Sequence, residues 1–271
     1  MSLGTILNRA PAKIIAVTNQ KGGVGKTTTT VNLCAALHSI RRKTLMVDLD
    51  PQGNATMGCG VDKNQLKFSN YDLLNDPERI GRVIITQVSG GFDLLPGNSD
   101  LTAAEVELLS LPDREHRLDR ALQQVKEDYD YILIDCPPSL NMLTVNALAA
   151  AQSVLIPMQC EYYALEGLSA LITTINGVSK SLNPQLEIEG LIRTMYDGRN
   201  SLAKDVSAQL VQHFGSKVYN TVIPRNVRLA EAPSYGMPAL IYDKRSKGAT
   251  AYLALAGELL RKTTSKVGTA G

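Results

Sequence analysis

The first stretch of the sequence whose residue types could do chemistry is a loop rich in glycine, lysine and threonine. From Gln20 it reads QKGGVGKTTTT. A phosphate-binding loop usually has the pattern G-x-x-x-x-G-K-[ST], and its last three residues stand here at Gly25, Lys26 and Thr27. Gln20 replaces the first glycine of the pattern, and an additional lysine, Lys21, follows it. The stretch therefore predicts a phosphate site with one cation more than usual.

The residue types of this loop explain how it would hold a phosphate group. Glycines allow the backbone to curl so that its N–H groups converge on phosphate oxygens, and the N-terminus of a following helix adds its dipole. Lys26 would bring a positive charge to the β- and γ-phosphates, and the hydroxyl of Thr27 would bind Mg²⁺. Thr28 could donate a hydrogen bond to a phosphate oxygen. The glycines concerned are Gly22, Gly23 and Gly25.

Three aspartates stand at the ends of predicted strands. Asp48 and Asp50 lie in VDLDPQGN, and Asp135 lies in YILIDCPPS. Ligands of an open α/β sheet bind beyond the carboxyl ends of its strands, so we expect these carboxylates near the loop. We predict that Asp135 holds Mg²⁺ through water and that Asp50 orients the attacking water. Asp48 is either a further metal ligand or a residue that holds the loop by hydrogen bonds.

Short apolar strands alternate with helical stretches, and these elements must position the loop and the carboxylates. The predicted strands cover residues 13–19, 44–50, 92–97, 130–139, 151–159, 186–197 and 218–224. The predicted helices cover residues 26–40, 101–110, 114–129, 163–180, 201–213 and 246–262. Continuously apolar strands that alternate with helices predict a mostly parallel, twisted sheet with helices on both faces. The fold class is α/β, a single-domain P-loop NTPase, because strand, loop and helix follow one another in the required order.

The composition is that of an ordinary globular protein. The chain has 271 residues, of which 44% are hydrophobic and 20% are charged. No apolar run approaches the roughly 20 residues that a membrane span needs, and the N-terminal stretch has no signal-peptide core. We predict a cytoplasmic protein with one domain over residues 13–263. A short extension, 1–12, would precede it, and a polar tail, 264–271, would follow.

Positive charge is concentrated in one part of the chain. The net charge is only +2, yet residues 191–250 contain nine Lys or Arg and four Asp or Glu. This uneven distribution is compatible with a basic face on the C-terminal third, of the kind that attracts polyanions. The alternative is a set of charges scattered over a solvated surface, which composition alone favours.

Five stretches carry a wider resemblance. They are NQKGGVGKTTT, VDLDPQGNAT, YDYILIDCPPSL, TVIPRNVRLAEAPSYG and SKGA. Together they resemble the deviant Walker A ATPases of the ParA/MinD family, and above all its ParA/Soj chromosome-partitioning branch. The resemblance covers about residues 13–262, and the nucleotide motifs do not depart from the family pattern.

The resemblance implies a nucleotide, ATP or ADP, bound together with Mg²⁺. It implies catalytic roles for Lys21, Lys26 and Asp50, and a homodimer of the ATP-bound chain in which Lys21 reaches the partner's phosphates. It also implies that Pro224 and Asn226, in the sequence IPRN, line the adenine pocket.

The resemblance also implies macromolecular partners. These are double-stranded DNA, bound without sequence preference, and an activator protein of the ParB type that stimulates hydrolysis and release. We expect the protein on the nucleoid and not on a membrane. The candidate DNA-binding residues are Arg199, Arg225, Arg228, Lys204 and Lys247.

Other functions on this fold stay open at this point. A MinD-like membrane ATPase that positions cell division would need a C-terminal amphipathic helix with basic residues beside its apolar face. The apolar positions near the C-terminus have few charges around them, which favours core packing; they are Tyr252, Leu253, Leu255, Leu259 and Leu260. A DNA-binding scaffold gated by ATP, with negligible turnover, would differ from the ATPase only in rate.

An iron–sulfur protein is the remaining alternative. Cys136 and Cys160 follow predicted strands, but the chain's four cysteines form no C-x-x-C pair. Cluster ligation requires thiolates at defined spacings, so reduced and chemically inert thiols are favoured.

Overall fold

A parallel sheet forms the centre of the molecule. The computed structural model describes residues 11–268, and within them the strands are β1 (Lys13–Val17), β2 (Thr44–Asp48), β3 (Asp93–Leu95), β4 (Tyr131–Asp135), β5 (Ser153–Gln159), β6 (Glu187–Tyr196) and β7 (Val218–Pro224). Their spatial order is β3-β2-β4-β1-β5-β6-β7, and every neighbouring pair is parallel. The predicted fold class is confirmed.

Helices cover both faces of the sheet. They are α1 (Lys26–Ser39), α2 (Asn54–Gly58), α3 (Asn70–Asn75), α4 (Ile80–Val83), α5 (Leu101–Glu107), α6 (Arg117–Gln123), α7 (Met142–Ala150), α8 (Ala164–Ser181), α9 (Ser201–Phe214), α10 (Val227–Glu231), α11 (Ala239–Tyr242) and α12 (Lys247–Gly268). Successive side chains of a strand point to opposite faces. Ile14 and Ala16 therefore pack in the core with α6, α7 and α8, while Ile15 and Val17 pack in the core with α1 and α12.

Some predicted elements were wrong or missing. The predicted helix 114–129 is reduced to α6, because the chain turns at Lys126–Asp128 before it enters β4. Helix α7 was missed because seven of its nine residues are buried, so it has no polar face and no helical periodicity. The last helix continues to Gly268, so the backbone of the predicted tail 264–271 begins as helix. Of the predicted extension 1–12, residues 1–10 lie outside the described residues.

The register of the strands brings the candidate carboxylates together. Asp135, the last residue of β4, is the register partner of Val17 at the end of β1 and of Asp48 at the end of β2. The loop that follows β1 therefore leaves the sheet at the edge where both carboxylates lie.

The packing of β6 against β7 requires a glycine at one position. A methyl group on Gly190 would lie 2.6 Å from the carbonyl oxygen of Lys217 and 2.5 Å from a ring carbon of Tyr219. In contrast, Gly177 on α8 is exposed, and a methyl group there would meet open space.

We expect Gly190→Ala to lower the free energy of unfolding by about 1–3 kcal/mol, the usual cost of overpacking. The matched substitution Gly177→Ala should raise it by about 0.5–1 kcal/mol, because alanine is the better helix former. Urea denaturation of the two variants measures both changes. Equal stabilities would contradict the tight contact at Gly190.

Candidate functional site

The loop between β1 and α1 has the backbone geometry of a phosphate-binding loop. Gly23 and Gly25 have φ angles of 74° and 87°, in the left-handed region that favours glycine. Gly25 directly precedes α1, whose first residue, Lys26, is buried. No side chain caps this helix, so its first N–H groups are available to an anion.

A buried carboxylate ties the start of α1 to the end of β4. Thr27 Oγ1 donates a hydrogen bond to Asp135 Oδ2 at 2.7 Å, and Thr30 Oγ1 donates to Asp135 Oδ1 at 3.1 Å. Burial, together with the nearby charge of Asp48, raises the pKa of Asp135. A hydroxyl and a carboxylate are hard oxygen ligands of the kind that Mg²⁺ prefers. Thr27 and Asp135 therefore fit a magnesium site, with Thr30 as a supporting residue that the sequence interpretation had missed.

The carboxylate of Asp48 is occupied by its own loop. Its Oδ2 accepts hydrogen bonds from the Thr56 backbone N–H at 2.8 Å and from Thr56 Oγ1 at 2.7 Å, and its Oδ1 accepts one from the Asp50 N–H at 3.2 Å. Burial raises the pKa of Asp48, although the hydrogen bonds from Thr56 and Asp50 oppose this effect. These bonds favour the loop-holding role over the metal-ligand role, because two of the three donors are backbone N–H groups with fixed directions. Both donors to Asp135, in contrast, are hydroxyls, which can turn their protons away from the carboxylate.

Two adjoining cavities form a cleft beside the loop. The phosphate cavity, about 300 Å³, is lined among others by Gly22, Gly23, Lys26, Thr27, Asp50 and Asn54. The base cavity, about 170 Å³, is lined among others by Thr194, Ile223, Pro224, Asn226, Leu229 and Tyr252. Gly25, Thr28 and Met195 line both, so that the two cavities adjoin each other.

One of the side chains that line the base cavity has a buried oxygen without a hydrogen-bond partner in the described part of the chain. Asn226 Oδ1 is buried and has no hydrogen-bond partner among the described residues. A buried acceptor of this kind is normally satisfied. Because Oδ1 itself has almost no accessible surface, the side chain must turn before an amino group on a bound base could donate to it. The residues that were predicted to line an adenine pocket, Pro224 and Asn226, both line this cavity.

Lys21 lies away from the phosphate cavity. Its side chain is 48% exposed and forms an ion pair with Glu161. Its backbone N–H donates to Asn19 Oδ1 at 3.0 Å, and Asn19 Nδ2 donates to the carbonyl of Pro157 at 2.8 Å. The backbone beside Lys21 is therefore anchored to β5, while its charged group stays accessible.

Comparison with known proteins agrees with this geometry. A family model described as an AAA domain matches residues 12–188. The sporulation initiation inhibitor protein Soj of Bacillus subtilis is 54% identical over 247 residues, which are 91% of this chain and 98% of that protein. The chromosome partitioning protein ParA of Myxococcus xanthus is 50% identical, over 94% of this chain and 90% of its own length.

This chain belongs to the ParA/Soj family of chromosome-partitioning ATPases. The resemblance stated from the sequence is confirmed, and the chain is a P-loop ATP hydrolase. A solved structure with bound ADP and magnesium, described as cobyrinic acid a,c-diamide synthase from Mycobacterium smegmatis, has the same fold. It is 38% identical with a TM-score of 0.83, and the match covers 94% of this chain and 96% of that one.

The basic residues predicted to bind DNA are all exposed, but two of them have acidic partners in the ParA/Soj fold of this chain. Arg199 donates to both carboxylate oxygens of Asp197, at 3.0 and 2.8 Å, which lowers the pKa of Asp197 to about 2. Arg228 pairs with Glu231 at 2.8 Å and with Asp243 at 3.4 Å. The other three DNA-binding candidates are also exposed: Arg225 lies at the base cavity, Lys204 on α9 and Lys247 at the start of α12.

The residues that a membrane ATPase or an iron–sulfur protein would need to expose are buried in this chain. Tyr252, Leu255 and Leu259 of α12 are buried in the core against α1, and no helix in the described part of the chain is long and apolar enough to cross a membrane. Cys136 and Cys160 are buried, and burial raises the pKa of both thiols.

The structure also places residues at the cleft that the sequence interpretation had missed. Met195 and Thr194 come from the end of β6, and Tyr252 comes from α12. The hydroxyl of Tyr252 lies 3.1 Å from Thr29 Oγ1 on α1. Thr30 could have been found, since it lies one helical turn after Thr27. The others carry no local signal, because only the folded sheet brings them to the loop.

We expect Thr56→Val to lower the free energy of unfolding by about 2–4 kcal/mol. The substitution removes one donor to the buried Asp48 carboxylate and the acceptor of the Gly97 N–H, which lies 2.9 Å from Thr56 Oγ1. Denaturation of the nucleotide-free chain measures the change. Thr173→Val is the control, because Thr173 is exposed on α8 and, among the described residues, its hydroxyl donates only to the carbonyl of Ser169 in the same helix. Equal losses in both variants would contradict the loop-holding role.

Proposed function

We propose that this chain is a magnesium-dependent ATPase that segregates chromosomes or plasmids. In the proposal, ATP joins two copies of the domain, residues 13–263, into a sandwich dimer. The dimer binds double-stranded DNA of the nucleoid without sequence preference, and a ParB-type activator stimulates hydrolysis and release. The observation that carries the proposal is the cleft of two adjoining cavities, one at the phosphate-binding loop and one lined by Pro224 and Asn226.

The cleft supports a specific arrangement of ATP and Mg²⁺. The N–H groups of the loop, with Lys26 and Thr28, would hold the phosphates, and Pro224 and Asn226 would face the adenine. Thr27 and Asp135 would hold Mg²⁺, Asp135 through water. When bound, the ion neutralises charge on the β- and γ-phosphates. The solved relative from Mycobacterium smegmatis, which binds ADP and magnesium, supports this assignment.

Asp50 and Asp48 have different roles in this proposal. Asp50 lines the phosphate cavity and would orient the attacking water. Asp48 accepts the N–H of Asp50, so it would hold the Asp50 loop in place. Phosphoryl transfer depends chiefly on such positioning and on charge neutralisation.

Lys21 would act on the partner's nucleotide and not on its own. Its ion pair with Glu161 is half exposed on both sides, and exposed pairs of this kind contribute little to stability. The lysine can therefore leave Glu161 at small cost and reach the phosphates of a second copy.

DNA binding is the part of the proposal that rests on surface charge. Phosphate contacts by exposed Lys and Arg give affinity without sequence preference, and that affinity falls steeply with salt. Arg225, Lys204 and Lys247 are exposed and suit this role. Arg199 and Arg228 would exchange their carboxylate partners for DNA phosphates. A MinD-like membrane function is supported less well, because the apolar face of α12 packs in the core.

ATP hydrolysis, measured with and without nonspecific DNA, tests the proposed function. A mobility-shift assay in the same samples, at two salt concentrations, reports DNA binding. We expect ATP but not ADP to support salt-sensitive DNA binding, and we expect Asp50→Ala to bind DNA without turnover. DNA binding of equal strength with ATP and with ADP would contradict the proposal. Sedimentation with liposomes would then test the division-positioning alternative.

We expect Lys21→Ala to lose ATP-dependent dimerisation, because the variant lacks the cation that reaches across the interface. Analytical ultracentrifugation in ATP and Mg²⁺ measures the oligomeric state. Lys180→Ala, which removes an exposed lysine of α8, is the matched control and should dimerise normally. Normal ATP-dependent dimerisation of Lys21→Ala would contradict the proposed sandwich dimer.

A further inference from the structure

Met195 stands at the junction of the base cavity and the phosphate cavity. It lines both of them, and it lies close to the end of β6. The neighbouring Thr194 donates from Oγ1 to the carbonyl of Val24 at 2.7 Å, which ties this end of the strand to the phosphate loop. A Cβ atom on Gly25 would lie 3.9 Å from the Met195 methyl carbon. The thioether therefore lies over the loop where the cleft is shared.

The backbone of Met195 is unusual for its position. Its φ angle is 48°, in the left-handed region that costs free energy for any residue with a Cβ atom. The other described non-glycine residues with positive φ are Arg41, Gln87 and Asp113, and each lies in a turn or bend, whereas Met195 lies within a strand. The pairing of β6 with β7 is also irregular between Arg193 and Tyr196. A strained backbone of this kind persists only where the surrounding contacts hold it in place, and such residues are concentrated at ligand-binding sites.

The chemistry of a nucleotide indicates what this side chain would touch. The sugar of a nucleoside triphosphate lies between its base and its phosphates, so it must pass the junction where the two cavities meet. A thioether is unbranched and polarisable, which suits packing against an irregular surface. The side-chain amide of Gln159 contacts the Met195 sulfur and limits the positions that it can take.

We propose that Met195 is a specificity-determining contact for the nucleoside part of the substrate, an inference that rests on the proposed function and extends it. The side chain packs against the sugar and divides the base end of the cleft from the phosphate end. The Met195 side chain raises the affinity for ligands that carry a nucleoside, whereas the binding of phosphate groups to the loop does not depend on it.

Calorimetric titration of the full chain with ATP and with inorganic tripolyphosphate, both with Mg²⁺, tests this inference. We expect Met195→Ala to weaken ATP binding about tenfold, which corresponds to about 1.4 kcal/mol, and to change tripolyphosphate binding less than twofold. Met195→Leu, which nearly conserves the volume, should restore most of the ATP affinity. Met237→Ala changes an exposed methionine outside both cavities, and this variant should bind both ligands as the natural chain does.

Each outcome of the titration has a distinct meaning. Unchanged ATP affinity in Met195→Ala, or equal losses for ATP and tripolyphosphate, would overturn the role of Met195 while leaving the proposed function intact. Failure of the natural chain to bind ATP would overturn the proposed function itself.

A stability measurement tests the strain separately. Met195→Gly should melt at least as high as Met195→Ala, because glycine adopts the left-handed conformation freely. A lower melting temperature for the glycine variant would contradict it.

Discussion

The hydrogen bonds accepted by the buried carboxylate of Asp135 are the interaction on which the site depends. They join the last residue of β4 to Thr27 and Thr30, which lie more than 100 positions earlier in the chain. Because both donors belong to the first turns of α1, these bonds fix the phosphate loop against the edge of the sheet. The carboxylate is costly to bury, as its raised pKa indicates, and a cation beside it would offset that cost.

The parallel register then determines how the two buried acids differ. Asp48 and Asp135 are register partners at the ends of adjacent strands, yet their hydrogen bonds lead in opposite directions. Asp135 faces the helix that follows the phosphate loop, while Asp48 faces the loop that carries Asp50. One acid is thus available to a metal ion, and the other orders the segment that presents Asp50 to the phosphate cavity. The division follows from local donors and not from the acids themselves.

The sequence predicted the features that local patterns encode, and missed those that arise only in the folded chain. Apolar strands, the glycine loop and the aspartates at strand ends are local, so the sheet and the phosphate end of the cleft followed from them. Helix α7 has no polar face, and Met195 reaches the loop only because β6 lies two strands away from β1. The ion pair of Lys21 likewise depends on the folded chain, since its partner, Glu161, is 140 positions away.

Thermal unfolding in the presence of ATP, with and without Mg²⁺, tests the central claim most directly. A ligand that binds only the folded state raises its melting temperature, so Mg²⁺ should add to the stabilisation that ATP gives the natural chain. In Asp135→Asn the carboxylate that would hold the ion is absent, and the account predicts that Mg²⁺ adds little or nothing to the effect of ATP. An undiminished magnesium effect in this variant would contradict the account, because the ion would then be held without Asp135.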